Sequence, residues 1–245
     1  KLFAGNQLEG NTNEAVRIMT GASIPLGLNA VIPQEYVEMN EGVITFTTKP
    51  QVNQNIRRIG EDIKSGDTVL QKGRQIKPCD LGLLASLGID SIKVYRKIKV
   101  AFFSTGDEII SLGHSISHGQ VYDSNRYSLI GLLKRLDVEI FDLGVIPDNK
   151  KMIEDVLRKA SDSADVVITT GGVSVGEADY MKEILKSIGE ILFWKISIKP
   201  GRPLAYGKIG STHYFGLPGN PVSTMVTFYQ FVREAIFTLS GQTPI

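Results

Sequence analysis

The sequence predicts an α/β protein: a doubly wound, mostly parallel sheet preceded by smaller β-rich domains. Two observations carry this. From about residue 98 onward, short β-branched runs alternate with stretches whose apolar residues recur at helical spacing. Residues 1–97 lack that alternation and hold short strand-like runs among Gly, Asn and Pro. A third observation concerns function: the polar clusters after residue 98 fall directly behind the β-branched runs, where ligands of such sheets bind.

The elements follow in order. Residues 99–104 read as a buried strand, and 125–136 as a helix with Leu129, Leu132, Leu133 and Leu136 on one stripe. Residues 138–145 form the next strand, and 149–160 a helix with Ile153, Val156 and Leu157 in line. Strands are expected at 165–170, 191–198, 204–208 and 212–215, and a helix at 180–187. A last helix should start near Asn220 and run through Phe228, Phe231, Val232 and Ile236 to a stop at Gly241. Upstream, 43–48 and 67–70 read as strands and 79–87 as a helix, with a domain boundary near the basic residues 93–99.

Composition excludes several classes. Of 245 residues, 42% are hydrophobic, enough for one large core or two smaller ones. A net charge of +1 provides no general field for nucleic acid or a membrane surface, so anion binding must be local. The single cysteine, Cys79, excludes an internal disulfide and a multi-cysteine zinc site; it suits a reducing cytoplasm and is expected as a buried, inert thiol. No apolar run approaches the roughly 20 residues that span a bilayer. The chain opens on Lys1, which reads as a fragment of something longer. His114, His118 and His213 stand among polar residues and are expected in solvent.

Four motifs carry chemistry. Ser-Thr-Gly-Asp-Glu at 104–108 follows a strand; Asp107 and Glu108 suit a hard cation such as Mg²⁺, or equally an acidic helix start. Thr-Thr-Gly-Gly-Val-Ser-Val-Gly-Glu-Ala-Asp-Tyr at 169–180 combines a tight turn at Gly171 and Gly172 with the Ser174 hydroxyl and two acids, of which Asp179 could cap the next helix. Residue type alone does not separate Glu177 from Asp179. Gly-Leu-Pro-Gly-Asn-Pro-Val-Ser at 216–223 places Asn220 at an N-cap and Pro221 at the first helical position, a start that suits an anion or stands as a plain cap. In 194–203, Lys195, Ser197 and Lys199 share one strand face, as an oxyanion grip or a solvated surface. Together these point to metal-assisted phosphoryl or nucleotidyl chemistry. No Walker-type phosphate loop and no serine–histidine triad is evident in the sequence.

These motifs, in this order and spacing, resemble the molybdopterin molybdenumtransferases (the MoeA family, related to the gephyrin E domain). Phe-Trp-Lys-Ile-Ser-Ile-Lys-Pro-Gly at 193–201, Arg-Ile-Met-Thr-Gly-Ala at 17–22 and Asn-Ile-Arg-Arg-Ile-Gly-Glu-Asp at 55–62 extend the likeness over nearly the whole chain. The resemblance implies a cytoplasmic, Mg²⁺-dependent enzyme that takes adenylylated molybdopterin and molybdate, inserts molybdenum and releases AMP. It implies that Glu108, Asp148 and Asp179 hold metal and molybdate, and that Lys195 and Lys199 hold oxyanion or phosphate. Gly171, Gly172, Ser174, Pro218, Gly219, Asn220, Pro221 and Ser223 would line the substrate, with Thr20 and Asp62 on facing domains. Domains are expected at 1–60 (facing the cleft), 61–97 (part of an elongated linker and dimerisation domain) and 98–245 (catalytic), within a homodimer. An N-terminal segment and a C-terminal β-barrel of the family lie outside the sequence. The alternatives are a molybdopterin adenylyltransferase and a gephyrin-like scaffold.

Overall fold

The computed structural model describes residues 15–172 and 178–242, without the side chains of Ala178 and Asp179. The chain divides into two compact units, residues 1–69 and 70–245.

In the first unit, β1 (Glu38–Asn40) and β2 (Val43–Thr45) form an antiparallel hairpin with Glu38 opposite Thr45. Its two-residue turn holds Glu41 at φ 48° and Gly42 at φ 83°, the left-handed pair that matches strand twist. Elsewhere loops are tied directly: Val31 N–H donates to Gln54 O at 3.0 Å, and the Asn55 side-chain amide donates to Val31 O at 2.9 Å. The expected strand at 67–70 is absent. Asp67 instead closes a turn, its carboxylate accepting from Lys64 N–H at 2.9 Å while its own N–H returns to Lys64 O.

The second unit opens with α1 (Pro78–Ser86), which has Pro78 in its first turn. Asp80 accepts from Lys77 N–H and from Arg74, and this pairing, with Arg74 and Lys77 stabilising the carboxylate form, lowers its pKa. The helix buries Asp80 and Leu84, so Cys79 faces outward: the thiol is exposed, against the buried state expected.

The sheet follows. In chain order come β3 (Lys99–Thr105), β4 (Ile109–Ile110), β5 (Val121–Tyr122), α2 (Ser124–Lys134), β6 (Glu139–Ile146), α3 (Lys150–Ser163), β7 (Val166–Thr170), α4 (Ala178–Ile188), β8 (Glu190–Lys195), β9 (Pro203–Ile209), β10 (Thr212–Leu217), α5 (Pro221–Thr227) and α6 (Arg233–Leu239). Six strands lie in the spatial order β6-β3-β7-β10-β9-β8. The first four are parallel, and β9 runs against both β10 and β8. Alternation along β3 sends Val100 and Phe102 to one face and Ala101 and Phe103 to the other, and all four are buried. A strand covered on both faces must be apolar throughout, which is why this run is so clear in the sequence. Ile153 and Leu157 of α3 and Ile184 and Leu185 of α4 cover one face; Leu129 and Leu133 of α2, Phe228, Val232 and Ile236 cover the other.

At the amino ends of the strands, Asp165 accepts from Lys99 N–H at 2.8 Å and from both Arg96 guanidinium nitrogens, which hold its pKa down. His213 is part-buried, not free in solvent as expected. It shares a 2.9 Å hydrogen bond with the Tyr206 hydroxyl, and burial lowers its pKa. The last helix is interrupted by a π-turn over Phe228–Val232, where Arg233 N–H reaches Phe228 O.

The order of connections positions the site. From β3 the chain passes to β6 on one side and then to β7 on the other, so winding reverses between the carboxyl ends of β3 and β7. A sheet of this kind opens a crevice there.

Candidate active site

Three loops meet at this reversal. The Thr170 hydroxyl donates to Ser104 Oγ at 2.9 Å, joining the ends of β7 and β3. Gly171 N–H donates to Leu217 O at 3.3 Å, joining β7 to β10. Gly171 lies so close that a Cβ there would stand 2.3 Å from Thr105 O, and Gly172 would meet the Thr105 methyl at 3.0 Å. Both glycines have positive φ, 85° and 67°. The turn is therefore built on glycine for close approach between backbones.

The acids gather beside it. Asp148, between β6 and α3, donates its N–H to Asp107 Oδ1 at 3.1 Å, which joins the end of a fourth strand, β6, to the loop after β3. Desolvation raises the Asp148 pKa first, the charges of Asp107 and Glu108 raise it further, and the Thr105 hydroxyl offsets a little of that. Thr105 Oγ1 is nonetheless buried without a well-formed hydrogen bond. Glu108 is exposed, and its carboxylate folds back over Gly106, where a Cβ would meet both carboxylate oxygens at 2.8 Å. Among the described residues, no three His, Cys, Asp or Glu side chains form a metal cage by themselves. A concentration of negative charge costly enough to shift Asp148 still fits Mg²⁺, which takes one or two carboxylates and completes its shell with water and phosphate oxygens.

The clustered charge has a measurable consequence. Asp148→Asn is expected to raise the melting temperature by roughly 1–2 °C at pH 7 in metal-free buffer, from about 0.5 kcal/mol of desolvation and, after solvent screening, repulsion by Asp107 and Glu108. Because the folded-state pKa is raised, the ionised carboxylate destabilises the fold above it. The difference between variant and wild type should shrink as pH falls through that pKa and the wild type takes up the proton. Calorimetry from pH 7 to pH 3 checks this, and a lower melting temperature at pH 7 would count against it.

The loop after β10 forms the opposite side. Asn220 caps α5, its side chain accepting from Ser223 N–H at 3.2 Å, and Pro221 takes the first helical position as expected. The Thr224 hydroxyl donates to Pro218 O at 2.5 Å. A Cβ on Gly219 would lie 3.9 Å from Gly171 Cα, so this turn stands against the glycine turn.

The lysines stand farther off. Lys195 ends β8, which runs parallel to β10, so it lies at the same carboxyl end of the sheet but on its far edge strand, three strands from β7, roughly 14 Å at ordinary strand spacing. Lys195, Ser197 and Lys199 are exposed while Trp194, Ile196 and Ile198 are part-buried, so the expected alternation continues past the end of the strand. The chain then returns to the site: a Cβ on Gly201 would lie 2.7 Å from the Thr227 methyl of α5. Thr20 is exposed in the first unit, and Asp62 pairs there with Arg57. Ser174 and the Asp179 side chain lie outside the described residues, although Asp179 is the second residue of α4.

Asn125 was not among the expected site residues. Its side-chain amide donates to Gly219 O at 2.8 Å. The signal was available, since Asn125 is a polar residue one turn before Leu129 on the buried stripe of α2.

Residues 101–238 match the family described as a probable molybdopterin binding domain, and residues 4–88 match the MoeA N-terminal region (domain I and II). A molybdopterin molybdenumtransferase of Haemophilus influenzae is 54% identical over 99% of the chain and 61% of its own length. Gephyrin of Dictyostelium discoideum is 36% identical over 96% of the chain and 37% of its own length. The crystal structure of a molybdopterin biosynthesis moeA protein from Pyrococcus horikoshii superposes with a TM-score of 0.79 at 34% identity, covering 98% of the chain and 59% of that protein. The chain thus spans about three fifths or less of the length of these relatives. With the molybdopterin-binding match covering more than half of it and the MoeA N-terminal match preceding that, the chain belongs to the MoeA family of molybdopterin-binding proteins.

Proposed function

We propose that the protein inserts molybdenum from molybdate into adenylylated molybdopterin and releases AMP, as the catalytic part of a molybdenum cofactor biosynthesis enzyme. What supports this reading most is the meeting of the acidic loops with two close-packed turns at the switch point of a molybdopterin-binding domain.

Asp107, Glu108 and Asp148, with Asp179, would hold Mg²⁺, which supplies charge neutralisation and polarisation of phosphoryl oxygens when bound. Around it the chain's own groups orient the substrate. The glycine turn at 171–172 and the turn at 218–220 admit a phosphate group close to backbone, and Asn220, Pro221 and Ser223 fix that turn at the start of α5. Lys195 and Lys199 bring positive charge from the far edge of the sheet toward the oxyanion or phosphate. Thr20 and Asp62 are candidate substrate contacts, and the protein is expected to act as a cytoplasmic homodimer.

The decisive experiment incubates the intact protein with adenylylated molybdopterin, Mg²⁺ and molybdate. AMP release that requires molybdate is the expected result. Adenylylation of free molybdopterin from ATP would replace this reading by an adenylyltransferase, and no turnover by the intact protein would favour a scaffold.

A further inference from the structure

Helix α2 begins with two buried polar residues that its capping does not fully use. Asp123 is 3% exposed; its Oδ1 accepts from Arg126 N–H at 3.0 Å, and its Oδ2 has no partner. Asn125 is 8% exposed and occupies the apolar stripe that continues through Leu129, Leu132 and Leu133. Its amide donates to Gly219 O, 94 positions away in sequence. A carbonyl can only accept, which fixes the orientation of the amide and leaves Asn125 Oδ1 buried without a partner. A half-satisfied amide on an apolar stripe is a poor choice for stability alone.

The same helix start is tied to the acidic loop. Val121 N–H donates to Glu108 O at 2.9 Å, and Asp123 N–H to Ile110 O at 3.0 Å, through the short parallel pair of β4 and β5. The backbone that carries Glu108 and the turn that carries Gly219 are therefore both fastened to one rigid element. We infer that the start of α2 is a strut between the two sides of the crevice, and that Asn125 is a positioning residue that holds the Gly219 turn in place for the substrate. This rests on the proposed reading that the turn at 218–220 lines the site for adenylylated molybdopterin.

The test uses Asn125→Leu and Asn125→Asp in the intact protein. Leucine completes the apolar stripe, and Gly219 is exposed, so its carbonyl can turn to water. The expected result for Asn125→Leu is a melting temperature that does not fall, a KM for adenylylated molybdopterin about tenfold higher, and kcat within twofold of wild type. Aspartate, which sets a carboxylate against the carbonyl, should raise KM further. Amide exchange should quicken at Gly219 and Asn220 in both variants while β3 amides keep their rates. Unchanged KM and exchange, or a melting temperature that falls in step with kcat, would overturn the inference. If the wild type releases no AMP, the proposed function fails, while the exchange measurement still decides whether Asn125 holds the turn.

Discussion

Glu108→Gln is expected to lower molybdate-dependent AMP release by at least 100-fold while leaving the melting temperature within about 1 °C, the scale of losing one charged group that acts on the transition state. The structure explains why the two effects separate. The Glu108 side chain is exposed and makes no ion pair among the described residues, so the fold does not depend on its charge. What the fold takes from Glu108 is its backbone carbonyl, which accepts from Val121 N–H and is unaltered in the variant. Glutamine keeps the length and hydrogen-bonding oxygen of the side chain and loses only the negative charge beside Asp107 and Asp148. If the charge serves to hold Mg²⁺, raising the Mg²⁺ concentration should restore part of the rate. A rate within twofold of wild type would remove Glu108 from the proposed site.

How much of this was legible depended on how locally each feature is determined. The strands β3 and β7 were plain because burial on both faces forces continuous apolar runs, and the Asn220–Pro221 start of α5 was plain because capping chemistry is set by adjacent residues. The gathering of Asp107, Glu108 and Asp148 was not: Asp148 entered only through resemblance, because nothing near it in sequence reveals that β6 ends beside β3. Asn125 is hidden for the opposite reason. Its place on the leucine stripe was visible, but its partner, Gly219 O, is supplied by the return of a distant loop. The exposure of Cys79 and the turn at Lys64–Asp67 differ from expectation because local propensity is outweighed by which helix face packs and by side chain to backbone hydrogen bonds.

Gly171→Ala should be the most destabilising substitution in the site. Two costs combine at this position. A left-handed φ of 85° strains any residue with a Cβ, at about 1 kcal/mol. The added methyl would also stand 2.3 Å from Thr105 O, a backbone atom of the interior strand β3 that cannot turn away as a side chain could. Relieving that overlap requires backbone movement, at about 1–3 kcal/mol. The sum, about 2–4 kcal/mol, corresponds to a fall in melting temperature of roughly 4–16 °C for a chain of this size. Gly210 supplies the control: its φ of 59° is also left-handed, but a Cβ there would meet nothing within 4 Å. Gly210→Ala should therefore show only the conformational cost, and the difference between the two variants isolates the contact of the glycine turn with β3. That contact also sets the distance between the ends of β3 and β7, so AMP release in Gly171→Ala should fall even at temperatures where the protein remains folded. Equal losses of stability in the two variants would show that the close approach to Thr105 O is not what requires glycine at 171.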